Sequence, residues 1–223
     1  MRQLHPWDLQ PTNAIALQKE LKSQLKIQPL EGKPQFIAGA DLSFDRGSDT
    51  VWAGIVVLSL PDLQIVESRG QQATAPFPYV PGLLSFREAP AILQVWETLE
   101  QKPDILIADG QGTAHPRGFG VACHLGLWLD IPTIGCAKTL LCGKFGDLAE
   151  ERGAHQPLIY KKEFIGAALR TKKRVSPVFV SPGNLINLED STKILLGCDG
   201  GYRIPEPTRQ AHLFVNRLRL AAK

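Results

Sequence analysis

From Pro103 to Arg117 the chain reads Pro-Asp-Ile-Leu-Ile-Ala-Asp-Gly-Gln-Gly-Thr-Ala-His-Pro-Arg, and it places a carboxylate where apolar segments seldom carry one. The run Ile105 to Ala108 is short and bounded by a proline and glycines, which predicts a buried strand. Asp109 then falls at its C-terminal end, with Gly110, Gly112, His115 and Arg117 close behind. Glycines there let the backbone approach a ligand, and ligands in α/β sheets gather at the carboxyl ends of strands. Asp109 equally suits a helix cap, and the glycines a plain turn.

Two further acids bear on the choice. Asp41 lies in the alternating segment Phe36 to Phe44, where Asp is depleted, and Glu88 opens a helical segment. Carboxylates that converge repel one another unless a cation joins them, and all-oxygen ligation selects a hard ion such as Mg²⁺, with Mn²⁺ able to substitute. Acids around such an ion suit attack of water on a phosphodiester. A histidine at the rim would position or deprotonate that water, and His212 is the candidate. Lys138, at the end of a second apolar run, Ile131 to Ala137, would emerge beside Asp109.

The elements that must position these groups follow from periodicity. Residues 12–25 read as an amphipathic helix with Ala14, Leu17, Leu21 and Leu25 on one face, followed by a Pro29–Pro34 linker. Phe36–Phe44, Val51–Leu60 and Leu63–Glu67 read as an antiparallel meander, its first turn made by Arg46, Gly47, Ser48 and Asp49. The loop from Ala75 to Gly82 carries three prolines, so Tyr79 is held on a stiff support. It can act as a wedge between bases or simply pack under the loop. Ser85 and Glu88 fit a capping box at the start of a helix containing Ile92, Val95, Trp96 and Leu99, although Pro90 blurs where that helix begins. Helices over 118–129, 188–196 and 207–220 and strands over 164–169 and 178–181 complete the pattern, the 105–108 to 131–137 connection being a parallel crossover. An acid on the first of three antiparallel strands, one on the first following helix and one on the fourth strand is the layout of the ribonuclease H superfold. The expected fold is therefore α/β, a mixed sheet of three antiparallel strands and then parallel crossovers, flanked by helices.

Composition narrows the classes. With 223 residues, 43% hydrophobic and 21% charged, the chain suits a single globular domain, and no run is long enough to span a bilayer. The expectation is a cytoplasmic monomer with no membrane partner. Cys123, Cys136, Cys142 and Cys198 have irregular spacing, so reduced thiols are expected rather than a disulfide framework or zinc site. A net charge of +3 does not announce a nucleic-acid partner; the cluster Arg170, Lys172, Lys173 and Arg174 reads as solvated charge or as support for a phosphate-contacting face. A sugar or acetate kinase of the related ATPase superfold would need two such domains and a longer chain. A non-catalytic binding module would not need the three acids.

Several stretches carry a family resemblance: Pro78-Tyr79-Val80-Pro81, Ser85-Phe86-Arg87-Glu88, Asp109-Gly110-Gln111-Gly112 with His115-Pro116-Arg117, Gly135-Cys136-Ala137-Lys138, and Tyr202 to Arg209 followed by Ala211-His212. In this order the chain resembles endonuclease V, from about Phe36 to about Asn216. The resemblance implies an Mg²⁺-dependent nuclease that nicks DNA at the second phosphodiester 3′ to deoxyinosine, leaving 3′-hydroxyl and 5′-phosphate. A ribonuclease of the same fold acting on inosine-containing RNA is the alternative. It implies Asp41, Glu88 and Asp109 as metal acids, Tyr79 as the wedge on its Pro78–Pro81 loop, and Lys138 and His212 as active-site groups. Val80 and Cys136 depart from the family's usual Ile and Val, both apolar exchanges. A pocket for a flipped hypoxanthine is expected around Gly110, Gly112, Gly118 and Gly120, walled by Val121 and Leu141. His115 can line that pocket or bond the glycine loop. His5, His124 and His155 are expected to be structural or exposed. The resemblance says little about residues 1–35, an N-terminal helical extension, or about the basic run.

Overall fold

The computed structural model describes residues 1–45 and 47–222; Arg46, expected in the first turn, lies outside the described residues. Among the described residues eight strands form one sheet: β1 (Phe36–Phe44), β2 (Thr50–Ser59), β3 (Ile65–Thr74), β4 (Ile105–Ala108), β5 (Thr133–Ala137), β6 (His155–Tyr160), β7 (Glu163–Leu169) and β8 (Val178–Asn184), in the order β3-β2-β1-β4-β5-β8-β7-β6. Helices α1 (Pro11–Lys22), α2 (Leu84–Thr98), α3 (Val121–Leu129), α4 (Leu188–Gly197) and α5 (Glu206–Ala221) cover its faces. β1, β2 and β3 pair antiparallel, and β4 joins β1, and β5 joins β4, in parallel. The parallel part stops there, because β8, β7 and β6 return antiparallel.

Strict alternation in β1 sorts the two faces. Ala38, Ala40 and Leu42 enter the core beneath α2 and α3 with Ile92, Trp96, Leu125 and Trp128. Ile37 enters the opposite core with Ile107, Ile134, Leu195 and Ala211, beneath α4 and α5. On that second face Gly39 lies against the start of α5, where any Cβ would collide with the Pro207 carbonyl oxygen. A glycine is what lets the helix rest on the strand.

Four local expectations change. The third strand runs to Thr74 rather than ending at Glu67, its exposed residues alternating with half-buried ones along the sheet's edge. β6 was not expected from the sequence; it contains Pro157, which an edge strand tolerates. The Ser85–Glu88 capping box does not form: Leu83 is the N-cap, without a side-chain cap bond, and the Ser85 hydroxyl bonds His124 Nδ1 at 3.1 Å. Finally, α3 begins at Val121 rather than Gly118, whose φ of +66° is left-handed. No described helix is long and apolar enough to cross a membrane, and the four cysteines are free.

Candidate active site

Asp41 leaves β1 on the face that carries Gly39, so the same contact that seats α5 brings His212 above Asp41. His212 Nδ1 lies 2.8 Å from Asp41 Oδ2. Asn216, one turn further along α5, gives one hydrogen to the His212 carbonyl (2.9 Å) and the other to Nε2 (3.2 Å), while its own oxygen accepts from Ser43 on β1 (3.0 Å). With Nε2 accepting, the proton of a neutral imidazole sits on Nδ1 and is donated to Asp41.

Asp109 follows β4, its N–H bonded to the Ala40 carbonyl (3.0 Å), and its Oδ2 is ion-paired with Lys138 Nζ. Lys138 is positioned in turn by Arg203, whose guanidinium donates to the carbonyls of Lys138 (2.6 Å), Pro177 (2.8 Å) and Ser176 (2.8 Å). One oxygen each of Asp41 and Asp109 and one nitrogen of His212 lie within 4.8 Å of one another, a spacing that one cation can span. Burial first, and then the charge of Asp41, push Asp109 above the usual carboxylate range against the pull of Lys138.

Glu88 stands beside this trio rather than in it. Burial, followed by the charges of Asp41 and Asp109, holds its carboxyl well above the ordinary range, with Arg87 opposing. Carboxyl groups that repel one another in a half-buried corner fit a divalent cation by the chemistry of their donors. Asp41 and Asp109 would hold it with Glu88 at hand, and His212 would stand beside it.

A cavity of about 470 Å³ opens next to Asp109 and Lys138. Tyr79, Val80, Pro81, Gly82, Gly110, Gly120, Val121 and Leu141 line it, whereas Pro78, Gly112 and Gly118 do not. Gly112 is packed beneath the Pro182 carbonyl, and the space at Gly120 is filled by the Gln111 carbonyl, so these glycines serve backbone packing in the cavity wall. Tyr79 is 64% exposed, not tucked under its loop. His115 lines the cavity and also donates from Nε2 to the Gly82 carbonyl (3.0 Å), its Nδ1 accepting from Arg117 N–H (3.2 Å). Burial, with Arg117 nearby, lowers its pKa to about 4.

The sequence reading missed Gln18. It sits on the buried side of α1, between Ala14 and Leu21, and is 1% exposed. Its amide donates to the carbonyls of Gly82 and Phe119 (3.1 Å each) and accepts from Arg117, clamping the Ala75–Gly82 loop to the glycine loop. The available signal was a glutamine on an otherwise apolar helical stripe. The basic run is spent internally: Arg170 bonds the carbonyls of Ala149, Leu148 and Val175, Lys173 pairs with Glu151, and Arg174 with Glu150.

An antiparallel meander extended by two parallel strands, with acids gathered at one edge, makes this a ribonuclease H-like α/β protein. The chain belongs to the Endonuclease V family, a family of nucleases: the family model for Endonuclease V matches residues 19–213. An Endonuclease V of Myxococcus xanthus is 50% identical over 216 residues, covering 96% of this chain and 92% of that one. The crystal structure of Endonuclease V from Streptomyces avermitilis superposes with a TM-score of 0.92 at 37% identity, over 97% of this chain and 96% of that one. A Ciona intestinalis Endonuclease V, solved with a 24mer DNA containing an inosine followed by a ribo-adenosine, has a TM-score of 0.83 at 26% identity, over 95% and 98% of the two chains.

Proposed function

We propose that this nuclease hydrolyses DNA at the second phosphodiester 3′ to deoxyinosine, leaving 3′-hydroxyl and 5′-phosphate, with Mg²⁺ or Mn²⁺ held by Asp41, Glu88 and Asp109. The observation that carries the reading is the opening of the 470 Å³ cavity directly beside Asp109 and Lys138, so a base lodged there leaves its own backbone next to the acids. The inosine-containing strand bound by the Ciona protein supports the same substrate class.

Divalent metal supplies neutralisation of charge on the phosphodiester and acidification of the attacking water. Asp41, accepting from His212 Nδ1, keeps the imidazole oriented toward the reacting edge. His212 would then take at Nε2, in place of the Asn216 amide, the proton that the attacking water loses, and Asp41 on Nδ1–H would steady the imidazolium. Lys138, ion-paired with Asp109, is placed to contact the phosphate as a point charge. Tyr79, exposed on its proline-stiffened loop, fills the gap left by a flipped base, and the backbone around Gly110 and Gly120 with Val121 and Leu141 encloses that base.

The test is nicking of an end-labelled duplex carrying one deoxyinosine, with Mg²⁺ and with EDTA, beside an undamaged duplex and Asp109→Asn. Metal-dependent nicking 3′ to the lesion, reduced roughly 10³-fold in the variant, is expected, as for loss of a charge-stabilising group. Equal nicking of the undamaged duplex would sink the lesion reading. The ribo-adenosine after inosine in the Ciona complex favours a second reading, in which inosine-containing RNA is also cut. Single-stranded RNA in the same assay measures it.

A further inference from the structure

On the other side of His115 lies a second cavity, of about 400 Å³, to which the proposed reaction gives no role. Lys22, Arg117 and Lys161 face it, against Glu163 as the one acid in its lining. No ion pair engages Lys22 or Lys161 among the described residues: Lys22 lies along Gly118, and the Lys161 ammonium sits 5.2 Å from the Tyr160 ring centre. Arg117 spends Nε on Gln18 and Nη2 on the Gly82 carbonyl, so a cation at this wall also grips the end of the wedge loop. Three cations against one acid favour a phosphate.

An unpartnered aromatic stands at the same wall. Lys161 and Lys162, with φ of +50° and +69°, form the tight left-handed turn between β6 and β7. The pleat sends Ile165 inward, 7% exposed, and therefore sends Phe164 outward, 75% exposed. Phe164 makes no aromatic contact among the described residues. Cationic side chains beside a free aromatic face are the two components of a single-strand nucleotide site.

We infer that this cavity is a subsite for a nucleotide flanking the lesion on the same strand, its phosphate held by Lys22, Arg117 and Lys161 and its base stacked on Phe164. The inference rests on the proposed lesion cavity, with which this one shares His115 in its lining. An occupant touching Arg117 would steady Gly82 and so the loop carrying Tyr79.

Binding of labelled single-stranded DNA by fluorescence anisotropy tests this, in the Asp109→Asn background so that no strand is cut. One probe carries deoxyinosine among ordinary bases; a second carries it between abasic sites, which keep the phosphates and remove the neighbouring bases. Adding Phe164→Ala should weaken the ordinary probe about tenfold, within the range of one lost base–aromatic stack, and leave the abasic-flanked probe unchanged. Lys161→Asn, a residue that accepts left-handed backbone, should weaken both and lower the single-strand salt slope by about 0.7. No loss with Phe164→Ala, or the same loss on both probes, overturns the subsite. If the parent protein does not prefer the deoxyinosine strand over a deoxyadenosine one, it is the lesion reading that fails. Thermal melts of both variants separate misfolding from lost contact.

Discussion

A histidine pair and a single histidine lie on opposite faces of the sheet, and they share a residue type without sharing chemistry. Between α2 and α3, His124 is fully buried and His5 nearly so. The Ser85 hydroxyl donates to His124 Nδ1, His124 Nε2–H donates to His5 Nε2 (2.7 Å), and His5 Nδ1–H donates to the Pro6 carbonyl (2.8 Å). Trp7 stacks on Trp128 with ring centres 4.9 Å apart, closing the cluster. Every ring nitrogen there meets a neutral partner, and burial lowers both imidazole pKa values. His212 instead has a side chain 48% exposed and a carboxylate for a partner. An imidazole becomes useful for proton transfer when one side meets an ion and the other meets water; a sealed neutral chain makes it a fastener.

Exchanging the roles by mutation would break this contrast most sharply. His212→Ala should slow single-turnover nicking by about 10²-fold or more while shifting the melting temperature little. His124→Ala should do the reverse, costing about 2–4 kcal/mol in urea unfolding through an unpaired buried network and a cavity, with nicking per folded molecule preserved. If both variants lose activity equally, the contrast is wrong.

Acid should read the same difference more gently. His115, like His5 and His124, is held below its ordinary 6.5 and reaches about 4. It therefore stays neutral in the fold while the unfolded chain protonates. Its stabilising contribution is complete above pH 6.5 and is lost as pH falls toward 4, roughly 3 kcal/mol at most. Urea melts between pH 7 and 4 should show that decline, and His115→Gln should flatten it.

The smallest effect is expected at Arg203, which acts on the site only through the Lys138 carbonyl. Arg203→Ala should lower kcat about tenfold with KM nearly unchanged, and Arg203→Lys should recover only part, since one ammonium cannot reproduce the guanidinium's planar fork to three carbonyls. A change confined to KM would mean that Arg203 does not position Lys138.

Much of this was legible beforehand because alternation and short apolar runs are local signals. β1 carried its full boundaries and both of its faces, so Asp41 could be assigned to the side opposite Ala40 from periodicity alone. The β4–α3–β5 crossover placed Lys138 beside Asp109 for the same reason. What stayed hidden depended on distant partners. Pro157 masked β6, because only its edge position makes a strand proline tolerable. Ser85 looked like a cap because its real partner, His124, lies 39 residues away. Gln18 meant nothing until Gly82 and Phe119 folded against it. Gly112 looked like a ligand contact, yet it lies outside the cavity lining and its missing side chain makes room for the Pro182 carbonyl.

The bare contact between Gly39 and Pro207 has a consequence for the order in which the protein becomes competent. Asp41, Asp109 and Lys138 all precede α5 in the chain, whereas His212 and Asn216 arrive only with it. During synthesis from the N-terminus, the acids and the lysine can be in place while the imidazole that completes them has not yet been made. In the proposed mechanism, the acids and the lysine are therefore translated before the imidazole, and docking of one late helix on a glycine of β1 would complete the site.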